Sequence, residues 1–92
     1  MLKSDIIPKQ VSDLEIETFG DGVLLYHQST KQAVHLNNSA AFIWALCNGN
    51  NNMAEIEHIL KDAYPDGKDS IRNDMHATLE KLRQDGAIEF SW

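Results

Sequence analysis

The chain has 92 residues, of which 42% are hydrophobic, 24% are charged and one is a cysteine. This length predicts one domain with a modest core, and the composition excludes wholesale disorder. No apolar run reaches the length of a membrane span, and the first residues lack the apolar core of a signal peptide. A lone cysteine forms no internal disulfide, so we expect a cytoplasmic protein.

Acidic residues outnumber basic residues by 14 to 8, which gives a net charge of −6. Nucleic-acid affinity comes largely from Lys and Arg side chains that neutralise phosphates, and no segment of this chain is a basic run. The charge therefore argues against a nucleic-acid partner, although acidity alone identifies no other partner.

The amino-terminal segment is predicted to be an arm. Residues 1–12 are a polar lead-in that contains Pro8, and we expect an extended or flexible arm. The folded domain is accordingly placed at residues 13–92.

Three strands are expected next. Residues 14–19 alternate apolar and polar side chains at their start, and residues 23–27 are nearly all apolar or aromatic. The third strand is expected at 32–36. Turn residues at 20–22 and at 28–31 join the strands, so we interpret them as an antiparallel meander.

One stretch begins as a strand and continues as a helix, and it organises the chain. Asn37, Asn38 and Ser39 are all suitable N-caps, and the pattern leaves open which of them is the cap. The helix is expected over about 38–48, with Gly49 as a left-handed C-cap. Apolar residues occupy nearly every face and predict a buried helix: Ala40, Phe42, Ile43, Trp44, Leu46 and Cys47.

A second helix is predicted by the pattern of a capping box. Asn52 and Glu55 are three residues apart, with Asn52 as the cap. Apolar residues at helical spacing follow the cap. The helix must end near Tyr64, because the residue before Pro65 is pushed out of the helical region.

A third helix is expected from a cap at Asp69 or Ser70 to about Asp85. Gly86 ends it, and a short final strand follows at 87–90. The inward-facing stripe of this helix is predicted to be Ile71, Met75, Thr78 and Leu82. The fold class is therefore α+β, with a three-stranded antiparallel sheet followed by three helices.

The central stretch resembles the PqqD family. Its strand is followed by Leu36-Asn37-x-Ser39-Ala40-Ala41, and its apolar helix ends in Leu46-Cys47-x-Gly49. Residues 22–26 and 85–88 also fit, so the resemblance spans roughly 14–90. The family includes the RiPP recognition elements, which serve systems that modify ribosomally made peptides. The resemblance implies a winged helix-turn-helix-like fold that binds a leader peptide as an extra strand on the third strand, beside the third helix.

Two surfaces become candidate peptide-binding sites on that resemblance. The third strand would offer its backbone for pairing, through Gln32, Ala33, Val34, His35 and Leu36. A stripe next to the inward stripe of the third helix is interpreted as a groove wall and contains Arg72, His76, Leu79 and Arg83. The apolar floor of this groove is expected to be Met75 and Leu79. Ordinary exposed surface is the alternative interpretation of this helix face.

No residue pattern indicates catalysis. Cys47 lies on the apolar face of the first helix and is interpreted as a small buried hydrophobe. The four histidines match no zinc-binding spacing, and Glu15 and Glu17 share the solvent face of their strand. We therefore expect no enzymatic activity, no metal and no cofactor.

The expected function is peptide binding. The domain would capture the leader of a precursor peptide and present it to a separate modifying enzyme, often a radical S-adenosylmethionine protein, in pyrroloquinoline quinone or related biosynthesis. One alternative is a winged helix-turn-helix DNA-binding protein, although the charges of the third helix cancel. The other is a structural domain that forms a homodimer through the strand edge. No membrane partner is expected.

Overall fold

The computed structural model describes residues 5–20 and 22–91, except for the side chain of Phe19. The strands are β1 (Ile7–Gln10), β2 (Leu14–Phe19), β3 (Gly22–His27), β4 (Ala33–Asn37) and β5 (Ile88–Ser91). The helices are α1 (Asn38–Leu46), α2 (Met53–Ala63) and α3 (Lys68–Gln84), with a 3-10 turn at Pro65–Gly67. The predicted class is confirmed as α+β, with a three-stranded antiparallel sheet and three helices.

The three-stranded sheet has β3 between β2 and β4, and both pairings are antiparallel. The predicted meander is therefore confirmed. Leu25 of β3 faces the helices and is fully buried. Because side chains alternate along a strand, Leu24 and Tyr26 point to the opposite face, where they are paired with Glu17 and Glu15. Both glutamates are exposed, as expected of that face.

A second sheet forms where the sequence predicted a flexible arm. β1 pairs with β5 in antiparallel register, with Pro8 opposite Phe90. The Pro8 side chain is fully buried and Ile6 is 8% exposed, so this segment belongs to the core. No sequence pattern indicated this pairing, because the partner strand lies at the other end of the chain. Residues 1–4, Asp21 and Trp92 lie outside the described residues, although the arm, the first turn and the domain end were predicted there.

The start of α1 resolves the choice among three candidate caps. Asn37 is the N-cap, and its Oδ1 accepts hydrogen bonds from the Ala40 N–H at 2.9 Å and the Ser39 hydroxyl at 3.0 Å. The helix ends at Leu46 with Cys47 as C-cap, so the prediction of Gly49 as the cap is wrong. Gly49 does have a left-handed φ of 85°, but it serves the turn that follows.

The capping box of α2 is confirmed. Asn52 Oδ1 accepts from the Glu55 N–H at 2.9 Å, and Glu55 Oε1 accepts from the Asn52 N–H at 2.8 Å. The helix ends at Ala63, and Tyr64 is its C-cap, as the proline at position 65 requires.

The predicted cap of α3 is wrong. Neither Asp69 nor Ser70 caps the helix, which begins at Lys68 with Gly67 as N-cap and no side-chain capping bond. The 3-10 turn runs directly into the first turn of α3, and the Ser70 hydroxyl donates to the Gly67 carbonyl at 3.2 Å instead. At the other end, Gly86 follows the helix with a left-handed φ of 77°.

The core lies between the three-stranded sheet and the helices. Trp44 is 7% exposed, and its Nε1 donates to the Ala87 carbonyl at 3.2 Å, which ties α1 to the segment before β5. The inward stripe of α3 is confirmed at Ile71, Met75 and Leu82, but Thr78 is only half-buried. Its place in the core is taken by Leu79, which is fully buried.

We predict that Trp44→Ala lowers the free energy of unfolding by about 3–5 kcal/mol, because it removes a buried aromatic ring from a small core. Urea unfolding followed by circular dichroism measures the loss. Trp44→Phe is the control and should cost less, since it keeps most of the ring and loses the bond to the Ala87 carbonyl. An alanine variant within 1 kcal/mol of the parent would contradict this account of α1.

Candidate functional site

Strand β4 lies at an edge of its sheet. It pairs with β3 on one side, and no strand among residues 5–20 and 22–91 pairs with its other side. An edge strand directs alternate backbone N–H and C=O groups away from its own sheet, and another extended chain can pair along that side. The edge of β4 is therefore a candidate docking site for a peptide.

The register shows which backbone groups point out of the sheet. His27 donates its N–H to the Gln32 carbonyl at 2.8 Å, so the odd-numbered residues of β3 bond toward β4. Gln28 donates to the Asp13 carbonyl at 3.1 Å, and the even-numbered residues accordingly bond toward β2. The two bonds support the same alternation independently.

The same alternation applies to β4. Val34 is opposite Leu25 and Leu36 is opposite Val23, so both direct their backbone groups inward to β3. Ala33 and His35 direct their N–H and C=O groups to the open side. The open edge of β4 thus carries two outward-facing residues before Asn37 begins the turn into α1.

A groove runs from this edge along α3. Its first part is a concavity of about 240 Å³ between the end of β4, the start of α1 and the carboxyl-terminal half of α3. Its second part, of about 490 Å³, lies between α1, α2 and the amino-terminal half of α3. Ser39 and Thr78 line both parts, so the two lie side by side along α3, and we describe them together as one groove.

The two parts of the groove differ in chemistry. The first part is lined by polar and charged groups that include His35, Lys81 and Asp85, and Lys81 lies 3.5 Å from Asp85. The second part has an apolar floor, formed by the core residues Ile43, Leu60, Ile71 and Met75. Its rim is polar and consists of Ser39, Tyr64, Ser70, Asp74 and Thr78.

The predicted arginines lie on the other flank of α3. Arg72 makes a two-pronged ion pair with Glu57 of α2, with Nε–Oε1 at 2.9 Å and Nη2–Oε2 at 3.1 Å. Arg83 donates to Glu80 at 3.0 Å, and its guanidinium lies 5.4 Å from the ring centre of Phe90 in β5. Neither arginine lines the groove described above.

The remaining predicted residues of α3 are placed differently again. Leu79 is fully buried, and Met75 is 1% exposed but reaches the floor of the second part of the groove. His76 is half-buried and lines neither part. Arg72 and Arg83, which the sequence interpretation placed on a groove wall, thus lie on the flank of α3 that faces α2 and β5.

Helix geometry explains why the sequence pattern was compatible with this flank of α3. Successive residues are about 100° apart, so Arg72, His76 and Arg83 lie on one side of the buried stripe. The groove residues Asp74, Thr78 and Lys81 lie on its other side. Either flank satisfies the same spacing, so spacing alone could not decide between them. No local signal identifies the flank, because it is set by the packing of α3 against β4 and α1, which are distant along the chain.

Two side chains among the described residues have a strongly shifted pKa. The ion pairs with Arg72 and Lys61 lower the pKa of the Glu57 carboxyl from 4.5 to about 2. Burial raises the pKa of the Cys47 thiol to about 12, and its Sγ lies 3.3 Å from the Ile43 carbonyl that it donates to. Cys47 is thus a buried, protonated thiol, as the sequence predicted, and it has the opposite of a nucleophile's environment.

Among the residues that the structure describes, no three His, Cys, Asp or Glu side chains come together in a way that could hold a metal ion. In the same part of the chain, no helix has both the length and the apolar character needed to cross a bilayer.

The fold and the groove define a class, namely a small α+β domain with an open sheet edge beside a helix-lined groove. Over residues 22–88 the chain matches the family model described as Coenzyme PQQ synthesis protein D (PqqD), and it belongs to the PqqD family. Members of this family are RiPP recognition elements and non-catalytic accessory proteins, which suggests a peptide-binding role related to PQQ biosynthesis. Comparisons with curated proteins and with solved structures give no significant match.

We predict that Glu57→Gln lowers the melting temperature by a few degrees at pH 7, since it removes the ion pair that joins α2 to α3. The carboxylate's contribution is present above its ordinary pKa of 4.5 and is lost as the pH falls through about 2. The difference from the parent should therefore shrink below pH 4.5 and vanish near pH 2. Thermal melts across this range measure it.

The matched control is Glu89→Gln, because Glu89 is exposed and makes no ion pair among the described residues. Its melting temperature should stay near that of the parent. If the difference caused by Glu57→Gln does not change with pH, the ion pair is not its source.

We also predict that Cys47 is nearly unreactive in the folded protein. At pH 8 a thiol reagent such as DTNB should modify it only as fast as the core opens, because its pKa of about 12 leaves almost no thiolate. The control is the double variant Ala45→Cys, Cys47→Ala, whose thiol occupies an exposed position of the same helix. Equal rates for the two proteins would show that α1 does not bury Cys47.

Proposed function

We propose that this protein is a non-catalytic RiPP recognition element that binds the leader of a precursor peptide by strand addition to β4. The observation that carries the proposal is the register, which directs the backbone groups of Ala33 and His35 to the open side of the edge strand. Main-chain hydrogen bonds supply affinity in this mode of recognition, and side-chain pockets supply selectivity. The groove beside α3 provides such pockets.

Presentation to a modifying enzyme is the second part of the proposal. A bound leader holds its precursor near any enzyme that also contacts this domain, which raises the effective concentration of the substrate. In the family this enzyme is often a radical S-adenosylmethionine protein, and we propose the same class of partner in the cytoplasm. Pyrroloquinoline quinone or a related peptide product would be the outcome.

The helices support a winged helix-turn-helix-like arrangement, which we propose as the structural relationship of this domain. α2 and α3 are joined by a short turn, and β5 follows α3 directly. DNA binding is not favoured, because the three cations considered for α3 each face a carboxylate: Arg72 with Glu57, Lys81 with Asp85, and Arg83 with Glu80. A positive recognition surface would need such cations to face the phosphates.

We predict a period-two result for proline substitutions in β4. Ala33→Pro and His35→Pro should leave the domain folded but weaken peptide binding by about tenfold or more, because each removes an N–H that points to the open side. Val34→Pro is the matched control. It removes an N–H that points to β3 and should lower the free energy of unfolding by at least about 1 kcal/mol.

The probes are peptides selected for binding from a random 15-residue library displayed on phage. Titration calorimetry measures their affinity, and circular dichroism measures the stability of each variant. Strand addition at β4 is wrong if the Ala33→Pro and His35→Pro variants stay folded and bind these peptides as well as the parent does. If the parent is a dimer and Ala33→Pro makes it a monomer, the edge pairs two copies of the chain instead.

A further inference from the structure

We propose that the apolar second part of the groove is a side-chain pocket that selects a bulky apolar residue with a basic residue two positions away in the bound peptide. The inference rests on the proposed function, since it assigns a chemical preference to the peptide that pairs with β4. It follows from the shape of the pocket, the charge at its mouth and the distance between the two parts of the groove.

The shape of the pocket fits a large apolar side chain. Its volume of about 490 Å³ lies within the range of roughly 300–1,000 Å³ typical of small-ligand sites. The floor is made of side chains that are already in the core, including Ile43 and Met75. A peptide side chain that enters the pocket would therefore extend the core, which favours aromatic and long aliphatic residues.

An exposed aromatic residue stands at the rim. Tyr64 is 44% exposed, and its ring meets that of Phe42 edge to face, with the centroids 6.1 Å apart. Large apolar side chains are seldom this exposed in the part of the chain that the structure describes, Ile16 being the other example. Aromatic residues beside a pocket are typical anchors of protein interfaces.

The charge at the mouth is negative. Asp74 is exposed and lines the pocket, and no ion pair of its carboxylate is found within residues 5–20 and 22–91. The first part of the groove differs, because there Lys81 faces Asp85. The net charge of −6 also attracts cationic peptides over a longer range. Because side chains alternate along an extended peptide, a Lys or Arg two positions from the apolar residue would point to the same side and meet Asp74.

The distance between Lys81 and Asp74, which line the two parts of the groove, predicts the spacing between peptide residues that lie in the two parts. Lys81 and Asp74 are seven residues apart on α3, which corresponds to about 10 Å along the helix axis. An extended peptide advances about 3.4 Å per residue, so it covers this distance in about three residues. In a peptide that follows α3, the apolar residue should therefore lie about three positions from the residue beside Lys81.

The test is a charge reversal with parallel peptide selections. The random 15-residue library is selected against the parent, against Asp74→Lys and against Asp62→Lys, which makes the same charge change at an exposed site of α2 outside the groove. Parent peptides should be enriched in a large apolar residue with Lys or Arg two positions away. Asp74→Lys should replace that cation by Asp or Glu, and Asp62→Lys should select the parent pattern.

Affinity gives a second measurement. A parent-selected peptide should lose about tenfold in affinity for Asp74→Lys and recover it when its own Lys or Arg is replaced by Glu. Ala77→Trp places an indole at the mouth of the pocket from an exposed position and should weaken the same peptide by tenfold or more. Ala45→Trp, on an exposed face of α1 that does not line the pocket, should not.

The outcomes separate this inference from the proposed function. Amide chemical shifts of ¹⁵N-labelled protein report contacts at Ala33 and His35 for the edge, and at Ile43 and Thr78 for the pocket. If peptides shift the edge amides but the charge reversal changes neither selection nor affinity, the inference is overturned and strand addition stands. If no selected peptide shifts the edge amides, the proposed function itself fails.

Discussion

The placement of the candidate site depends on one junction, at which strand β4 becomes helix α1 without a loop. Asn37 is the last residue of the strand and also the cap of the helix, through its bonds from Ala40 and Ser39. Because no flexible segment separates the two elements, the open edge of β4 is held in a fixed position next to α1 and α3. The position of the groove therefore follows from the path of the backbone through this junction.

The cations of α3 explain why the groove is not a basic surface. Arg72 faces α2, where it bonds Glu57. Arg83 lies over the Phe90 ring of β5 and bonds Glu80 of its own helix, and Lys81 faces Asp85. These contacts stabilise the packing of the helix and leave Asp74 as the charge at the apolar end of the groove. The same chain composition would have a different binding preference if the helix were rotated about its axis.

Local patterns predicted the elements whose partners are close in sequence. The β2–β3–β4 meander and the Asn52–Glu55 capping box are determined within a few residues, and both were predicted correctly. The pairing of Pro8 with Phe90 and the flank of α3 that faces the groove depend on contacts distant in sequence. Periodicity gives the spacing of a helical face but carries no information on which neighbour covers it, so it could not place the arginines relative to the groove.

Strand β1 has a consequence for where this domain can be cut. The family match begins at Gly22, yet hydrogen bonds that complete the helical layer come from residues before it. Gln10 donates to the Cys47 carbonyl at 2.9 Å, Val11 donates to the Ala87 carbonyl at 3.2 Å, and Ile6 accepts from the Met53 amide at 2.9 Å. The segment that matches the family model is thus shorter than the unit that folds. An expression boundary drawn from family similarity would remove a wall of the core.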